Sequence, residues 1–402
     1  MYGTRVVVLG AGIVGAACAR ELAEAGLEVT VIERDRPAGG TTSHGEGNVL
    51  VSDKGPGPEL ALTLLSMRLW PQVLAALADR GAADTAAVEW DPKGGIVVAT
   101  TEDGAAELDR FAAAQRAAGV LVERLDSAAL AAAEPRLTRE VTAAFHYSGD
   151  AQVQPAGAAT ALLSAAVAAG ATVRTGCEVL GGTVRGGRLI GVRTSAGAQD
   201  ADIVVNATGP WSGDVSARIG APIAVRPRRG EVLVTTPMPP TVFHKVYGAD
   251  YIAAVGSGSA ALQTSAVVES TRAGTILLGS SRRQVGFDDR LRPHVLSAIA
   301  VKALRLFPCL ADTAVMRCYG GFRPYVDDHL PVMGPDPRLP GLWHATGHEG
   351  AGIGLSVGTA RLLRQLVLGE TPDIDTTAFR VDRPAVLGAS NATTTHKERG
   401  LA

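Results

Sequence analysis

Arg5-Val-Val-Val-Leu-Gly-Ala-Gly-Ile-Val-Gly15, continuing to Thr30-Val-Ile-Glu33, is the stretch on which the fold turns. Residues 6–9 form a short apolar run that reads as a buried parallel strand. Gly10, Gly12 and Gly15 follow at G-x-G-x-x-G spacing, and residues 16–25 carry helical periodicity until Gly26 stops it. Residues 28–32 read as a second strand, closed by Glu33. At this spacing the first glycine allows a tight turn, the second lets backbone approach a pyrophosphate, and the third lets helix and strand pack closely. The helix N-terminus faces the phosphates, and Glu33 offers acceptors to a ribose. Glu33 also argues against a 2′-phosphorylated dinucleotide, because two negative groups would meet there.

At 402 residues the chain has room for two domains, or for one large α/β domain with an excursion. A content of 46% hydrophobic and 19% charged residues describes a globular protein with a substantial core. The net charge of −2 offers nothing to nucleic acid or to an anionic membrane surface. Cys18, Cys177, Cys309 and Cys318 lie far apart, with no C-x-x-C among them. They fit neither zinc nor an iron–sulfur cluster, and no dense disulfide framework, so no metal site is expected and a reducing compartment is the default. Between Arg5 and Arg20 lie fourteen uncharged residues, as in the apolar stretch of a signal peptide. The glycine fingerprint sits inside them, so they read as strand plus helix. No apolar run approaches the roughly twenty residues of a membrane helix, and a cytoplasmic location is expected.

The loop at 34–48 is built of small residues and hydroxyls; its N–H groups, with Thr41, Thr42 and Ser43, can complete the pyrophosphate cradle. Residues 58–80 read as an amphipathic helix on Leu62, Leu65, Leu69, Val73 and Leu77. Strands are expected at 95–100, 120–125 and 142–147, and helices at 103–118 and from Pro155 to Gly170. Short strands follow at 173–175, 179–184, 188–194 and 201–206, the last running into Ala207-Thr-Gly-Pro-Trp-Ser212. From 225 to 325 the texture changes to a sheet-rich excursion, with strands at 231–235, 251–255 and 275–279 and a helix at 293–307. A buried strand returns at 341–346, before Gly347-His-Glu-Gly-Ala-Gly-Ile-Gly354 and a helix at 355–368. Beyond Pro384 the composition turns small and polar, and disorder is expected over 385–402.

The glycine run at 347–354 repeats the opening motif only superficially, since no second strand and acidic residue follow its helix. Its better use is a helix N-terminus packed against a flat ring, where the dipole stabilises negative charge on a reduced flavin. The opening unit itself extends as G-x-G-x-x-G-x-x-x-A-x-x-L-A-x-x-G-x-x-V-x-V-x-E, from Gly10 through Ala19, Leu22, Gly26 and Val29 to Glu33. That resembles the FAD version of the motif. Three further pieces occur in the order of the D-amino-acid oxidase and dehydrogenase superfamily of flavoenzymes. They are Val205-Asn-Ala-Thr-Gly-Pro-Trp-Ser212, Gly320-Gly-Phe-Arg-Pro-Tyr-Val-Asp-Asp-His-Leu-Pro-Val-Met-Gly334 and Ala345-Thr-Gly-His-Glu-Gly-Ala-Gly-Ile-Gly354. Gly45-Glu-Gly-Asn-Val-Leu-Val-Ser-Asp53 and His348-Glu-Gly-Ala-Gly-Ile353 resemble in particular the FAD-bearing catalytic subunits of opine oxidases and D-hydroxyproline dehydrogenase.

The resemblance implies an α/β fold in which a Rossmann-like FAD domain is assembled from discontinuous segments, 1–92, 155–219 and 335–384. A smaller α+β substrate domain with a mainly antiparallel sheet takes 93–154 and 220–334. It implies FAD contacts at Gly10, Gly12, Ile13, Val14, Gly15, Glu33 and Arg34, and at Thr41, Thr42, Ser43, His44, Gly47 and Asn48. Further contacts are implied at Val179, Thr208, Gly209 and Trp211, and at Gly321, Arg323, Gly350, Ala351, Gly352 and Ile353. The implied reaction is oxidation of a carbon–nitrogen bond in a D-amino acid, hydroxyproline, sarcosine-like acid or opine, with hydride passing to flavin N5 and the imine hydrolysing.

Arg323 is the implied carboxylate clamp, with a salt bridge to Asp327 or Asp328 as its structural alternative. Tyr251 and Tyr247 are candidates to hydrogen-bond the substrate carboxylate, and His348 to donate to flavin or substrate. His44 falls where some similar enzymes carry a covalent flavin bond, in a loop reading like Thr42-Ser43-His44; Gly45-Glu46-Gly47 departs from that pattern and makes non-covalent contact the default. Electrons then go to oxygen or to a partner redox subunit, for which the resemblance suggests iron–sulfur chemistry. A flavin hydroxylase and an FAD-bearing non-catalytic subunit are the competing functions.

Overall fold

A computed structural model describes residues 3–79, 81 and 85–388. The tail expected to be disordered lies outside them, apart from its first four residues. Of those four, the first three belong to a helical turn, Pro384–Leu387, and Gly388 caps it, so the expected disorder does not extend to them.

The opening unit folds in register with its glycines. Strand Arg5–Leu9 leads to helix Ile13–Glu24 and strand Glu28–Ile32, the two strands pairing in parallel from Arg5↔Glu28 to Leu9↔Ile32. They form the middle of a six-stranded sheet in the order Val332–Pro335, Leu342–Thr346, Ile203–Asn206, Arg5–Leu9, Glu28–Ile32, Thr172–Arg174. Only the Val332–Pro335 edge is antiparallel. Because these strands are apolar on both faces, the sheet must be covered on both sides. Helices Ile13–Glu24, Pro155–Ala168 and Gly352–Leu368 share one core with helix Pro58–Asp79. The other face packs on the three-stranded sheet Gly197–Asp200, Arg188–Thr194, Val179–Arg185 and on helix Ser212–Ile219.

Helix Pro58–Asp79 has the length and, at a mean hydropathy of 1.4, the apolarity to cross a membrane, although Arg68 and Pro71 interrupt its middle. Half of that stretch is buried by the rest of the chain, including Leu62, Leu65, Leu69, Trp70, Val73 and Leu77.

The second sheet has eight strands, in the order Val315–Tyr325, Arg226–Thr235, Ile276–Arg282, Gln263–Ser270, Lys245–Gly248, Gly95–Ala99, Ala143–Tyr147, Glu123–Arg124. Every pairing is antiparallel except that of Lys245–Gly248 with Gly95–Ala99. Helix Pro293–Leu306 buries Val295, Ile299 and Ala303 against one face.

Two local expectations change. Residues 251–255 are not a strand: Asp250–Val255 is a helix, with an acidic residue in its first turn and Gly256 at its end. The strand expected at 120–125 shrinks to Glu123–Arg124, both exposed, and the helix Ser127–Ala133 follows it, capped by the Asp126 carboxylate accepting from the Ala129 N–H at 2.8 Å.

Candidate active site

Where the first strand ends, Gly10 adopts a φ of 98°, and a Cβ there would stand 2.7 Å from the Ala207 carbonyl oxygen of the neighbouring strand. A Cβ on Gly15 would run into the Gly10 carbonyl oxygen, so helix and strand close on each other only with glycine. Gly12 is the N-cap of the helix and has no side chain to satisfy the orphan N–H groups. Thr42 supplies one partner from the distant loop: its Oγ1 accepts from the Ile13 N–H at 3.0 Å. Glu33 is held by the Ala11 N–H at 2.8 Å and the Asp35 N–H at 3.0 Å, one on each carboxylate oxygen. A carboxylate has about four acceptor positions, so Glu33 keeps capacity for a ligand hydroxyl. Beside it, the Arg34 guanidinium lies 4.1 Å over the Trp211 ring, which stacks on Phe287.

These groups line one cavity of about 630 Å³. Its wall includes Gly10, Gly12, Ile13, Val14, Glu33 and Arg34, then Thr41, Thr42, His44 and Asn48 from the loop. Val179, Thr208, Gly209 and Trp211 join from the middle of the chain. Gly321, Arg323, His348, Gly350, Gly352 and Ile353 close it from the C-terminal third, with Tyr251 from the large sheet's side. Four expected contacts stand back from this wall. Gly15 is packed on Gly10, and Ser43 is exposed and hydrogen-bonds to the Gly40 carbonyl at 3.3 Å. Gly47, with a φ of 94°, lies against the Val153 carbonyl, and Ala351 is the N-cap of helix Gly352–Leu368.

That helix points its N-terminus at the cavity and is fixed from behind, where the Trp70 Nε1–H donates to the Gly354 carbonyl at 3.0 Å. His348 is buried with its Nε2 2.9 Å from Thr359 Oγ1. Burial alone brings its pKa down to about 4, so the ring is neutral at pH 7. His44 Nδ1 donates to the Gly40 carbonyl at 2.7 Å, and its ring meets Tyr319 edge-on.

The large sheet contributes Arg323. Its side chain crosses the neighbouring strand over Gly230, where a Cβ would strike the guanidinium, and Nη1 donates to the Ser281 carbonyl at 2.9 Å. Asp327 pairs instead with Arg226, and Asp328 with Arg383 at 2.8 Å, so neither neutralises Arg323. Among the described residues no carboxylate stands within 4.0 Å of it. The group opens onto the cavity yet is walled by protein; burial first, and the adjacent Arg282 second, bring its pKa down to about 10, and it stays cationic. Tyr251 lies beneath the Arg282 guanidinium at 4.6 Å and against Tyr247 at 4.9 Å. Tyr247 itself is fully buried, its hydroxyl donating to Ser52 Oγ at 2.6 Å, and is not part of the wall.

Sequence reasoning missed Glu46, Tyr319 and Glu349, which also line the cavity, and Arg282 behind Tyr251. Glu46 and Glu349 stand inside the quoted motifs, so the motifs located them without marking their role. For Arg282 the available sign was a charged pair, Arg282-Arg283, closing the apolar run at 276–278.

A parallel sheet with a glycine cradle, joined by a second sheet that roofs the same cavity, defines a dinucleotide-dependent enzyme of the flavoprotein type. A model of the DAO family, FAD dependent oxidoreductase, matches residues 5–366, and the chain belongs to that family. It is similar to the glycine oxidase of Geobacillus kaustophilus, 31% identical over 94% of this chain and 96% of that one. The crystal structure of glycine oxidase from that organism superposes with a TM-score of 0.84, covering 94% and 98% of the two chains at 28% identity. The D-amino acid dehydrogenase of Cereibacter sphaeroides is 30% identical over 96% of each chain.

The residues fit FAD on the structure's own terms. The cradle tolerates no Cβ at Gly10 or Gly15, the helix N-terminus behind Gly12 faces the cavity, and Glu33 retains free acceptor positions. Among the described residues, no group of three or more His, Cys, Asp or Glu is placed to hold a metal ion.

Proposed function

We propose that the protein oxidises the carbon–nitrogen bond of a small amino or imino acid. The observation that carries this reading is Arg323, a cation facing the cavity with no carboxylate of the described residues within 4.0 Å of it, Glu46 and Glu349 acting on it only from farther off. A substrate carboxylate fits that need, because guanidinium offers two parallel N–H donors to it. Tyr251, on the same wall, offers a hydroxyl to the same carboxylate. Together they fix which C–H bond is presented, and this positioning is most of what the chemistry asks of side chains. Bound FAD supplies the hydride acceptor, at flavin N5.

In this reading Gly10, Gly12, Ile13, Val14 and Thr42 hold the pyrophosphate, Glu33 and Arg34 the adenosine end, and Gly350, Gly352 and Ile353 the ring end. The positive end of the helix Gly352–Leu368 favours negative charge beside it. His348, neutral and tied to Thr359, presents a ring that carries no competing positive charge. The six-stranded sheet corresponds to the FAD domain and the eight-stranded sheet to the substrate domain. The names of the relatives support the substrate class: glycine and D-amino acids are what they act on. Electrons leave to oxygen or to a partner redox subunit. The 28% identical hydrogen cyanide synthase subunit HcnC of Pseudomonas protegens is by its name part of a larger assembly.

The test is anaerobic bleaching of the flavin band by glycine, sarcosine, D-amino acids, hydroxyprolines and opines. At least one bleaches it, and Arg323→Leu retains FAD while kcat/KM falls about 100-fold or more, the loss expected for a charge-assisted bidentate contact. With FAD bound and no bleaching by any of them, the reading fails.

A further inference from the structure

We propose that Glu46 binds the amine of the substrate and takes up the proton that its nitrogen must lose; this rests on the amino-acid reading above. An amine that arrives as an ammonium has no lone pair with which to form a C=N bond. Arg323 and Tyr251 serve the carboxylate, and neither accepts a proton. Glu46 stands in the cavity wall, its side chain only 8% exposed. One carboxylate oxygen is held: Oε2 accepts from the Asn48 Nδ2–H at 3.1 Å and lies 3.7 Å from Lys245 Nζ. The other, Oε1, is buried against Gly279, where a Cβ would run into it, and has no hydrogen-bond partner among the described residues. A buried charged acceptor without a donor is destabilising, and a ligand N–H supplies the donor.

The charges around it lead to the same place. Lys245 is shared, with its Nζ 3.3 Å from Glu269 Oε1 and donating to Asn48 Oδ1 at 2.6 Å. Two carboxylates thus divide one ammonium. Glu269 Oε2 is unmatched as well, but Glu269 does not line the cavity, whereas Glu46 does. Glu349, also in the wall, is already matched by Arg228 at 2.6 Å and His329 Nδ1 at 3.0 Å. Arg323 is the converse of Glu46, a cation lining the same cavity, near enough to feel that carboxylate and too far to pair with it. An unpaired cation and an incompletely paired carboxylate match the two ends of an amino-acid zwitterion. With the substrate carboxylate on Arg323, one proton passes from nitrogen to Glu46 Oε1 and leaves a neutral amine. The freed lone pair then forms the C=N bond of an iminium while the C–H electron pair departs with its hydrogen as the hydride.

The test uses the holoenzyme and the amino acid that bleaches it. Glu46→Gln, with FAD retained, should lower kcat/KM about 100-fold at pH 7. That deficit should shrink by about tenfold per pH unit between pH 7 and 9, because the variant uses only substrate that has already lost its proton in water. Of the groups facing Glu46, Lys245 is held above its usual pKa by Glu269 and Glu46 against the pull of burial. Burial raises Tyr319, and Arg323 stays cationic up to about 10. Burial also raises Glu269, so Glu269→Gln is the control and should keep the pH profile of the natural protein. Inhibition by acetate, which has no amine, should stay within about threefold in Glu46→Gln or tighten. Glu46→Asp, which keeps the charge, should recover part of the loss. In the natural protein, without any variant, the amino acid should bind at least about tenfold more tightly than the 2-hydroxy acid of the same skeleton. A Glu46→Gln deficit that is constant with pH overturns the proposal, as does equal weakening of acetate or equal binding of amino and hydroxy acids. If no amine bleaches the flavin, the amino-acid reading fails and the proton step falls with it. A flavin-band shift by glycine that Glu46→Gln abolishes would then still uphold Glu46 as an ammonium site.

Discussion

Burial governs His348 more than any partner does, and the sign of its effect on stability follows. Its pKa is about 4 in the folded chain and about 6.5 when unfolded. Between those values the unfolded chain takes up a proton that the folded one refuses. Its contribution is therefore complete above pH 6.5 and is lost as pH falls toward 4, by at most about 3 kcal/mol. His348→Gln keeps a partner for Thr359 but cannot titrate. The melting temperature of the natural protein, relative to that of the variant, should fall as pH is lowered from 7 to 4.5. A constant difference would mean the ring protonates in place. Buried Asp150 acts with the opposite sign: burial raises its pKa to about 7, so its contribution is present in acid and lost as pH rises through 7. It is present in both proteins, and the difference between them isolates His348.

Helix Gly352–Leu368 meets helix Pro58–Asp79 at Gly358, where a Cβ would collide with Ser66 Oγ and stand 3.0 Å from Leu62 Cδ1. Gly358→Ala should lower stability by about 1–2 kcal/mol, because overpacking outweighs the gain in helix propensity. Ser66→Ala in the same chain makes room, and urea unfolding of the double variant should show at least half of that loss recovered; simple additivity would rule out the contact as the cause. The helix itself was legible in the sequence, as were the glycine cradle and the return of the chain to it, since each joins a local pattern to a turn residue. The strand Val315–Tyr325 was not read as one, because Gly320, Gly321 and Pro324 run against strand preference. They are tolerated there because that face borders a cavity. Thr42 capping a helix from 29 positions away depends on which elements meet in space, and no periodicity carries that information.

Taken whole, the molecule presents a cavity with one wall on each sheet: Glu33 follows a strand of the first, and Arg323 lies on the second. A ligand held by both walls binds the native chain and not the unfolded one. FAD should therefore raise the melting temperature in proportion to the logarithm of its concentration, reaching about 2.7 kcal/mol at a hundredfold excess over its Kd. A melting temperature insensitive to added FAD would contradict a site shared by both walls. The strand order has a further consequence. The first strand carries the glycine cradle, yet it pairs on one side with Ile203–Asn206, and that strand pairs in turn with Leu342–Thr346. During synthesis the motif is made well before either of these sheet neighbours. Closing such long loops is slow, so cofactor capture is a late event in the life of the nascent chain. A polypeptide stalled before residue 342 holds the whole fingerprint and still lacks the wall that His348, Gly350, Gly352 and Ile353 supply.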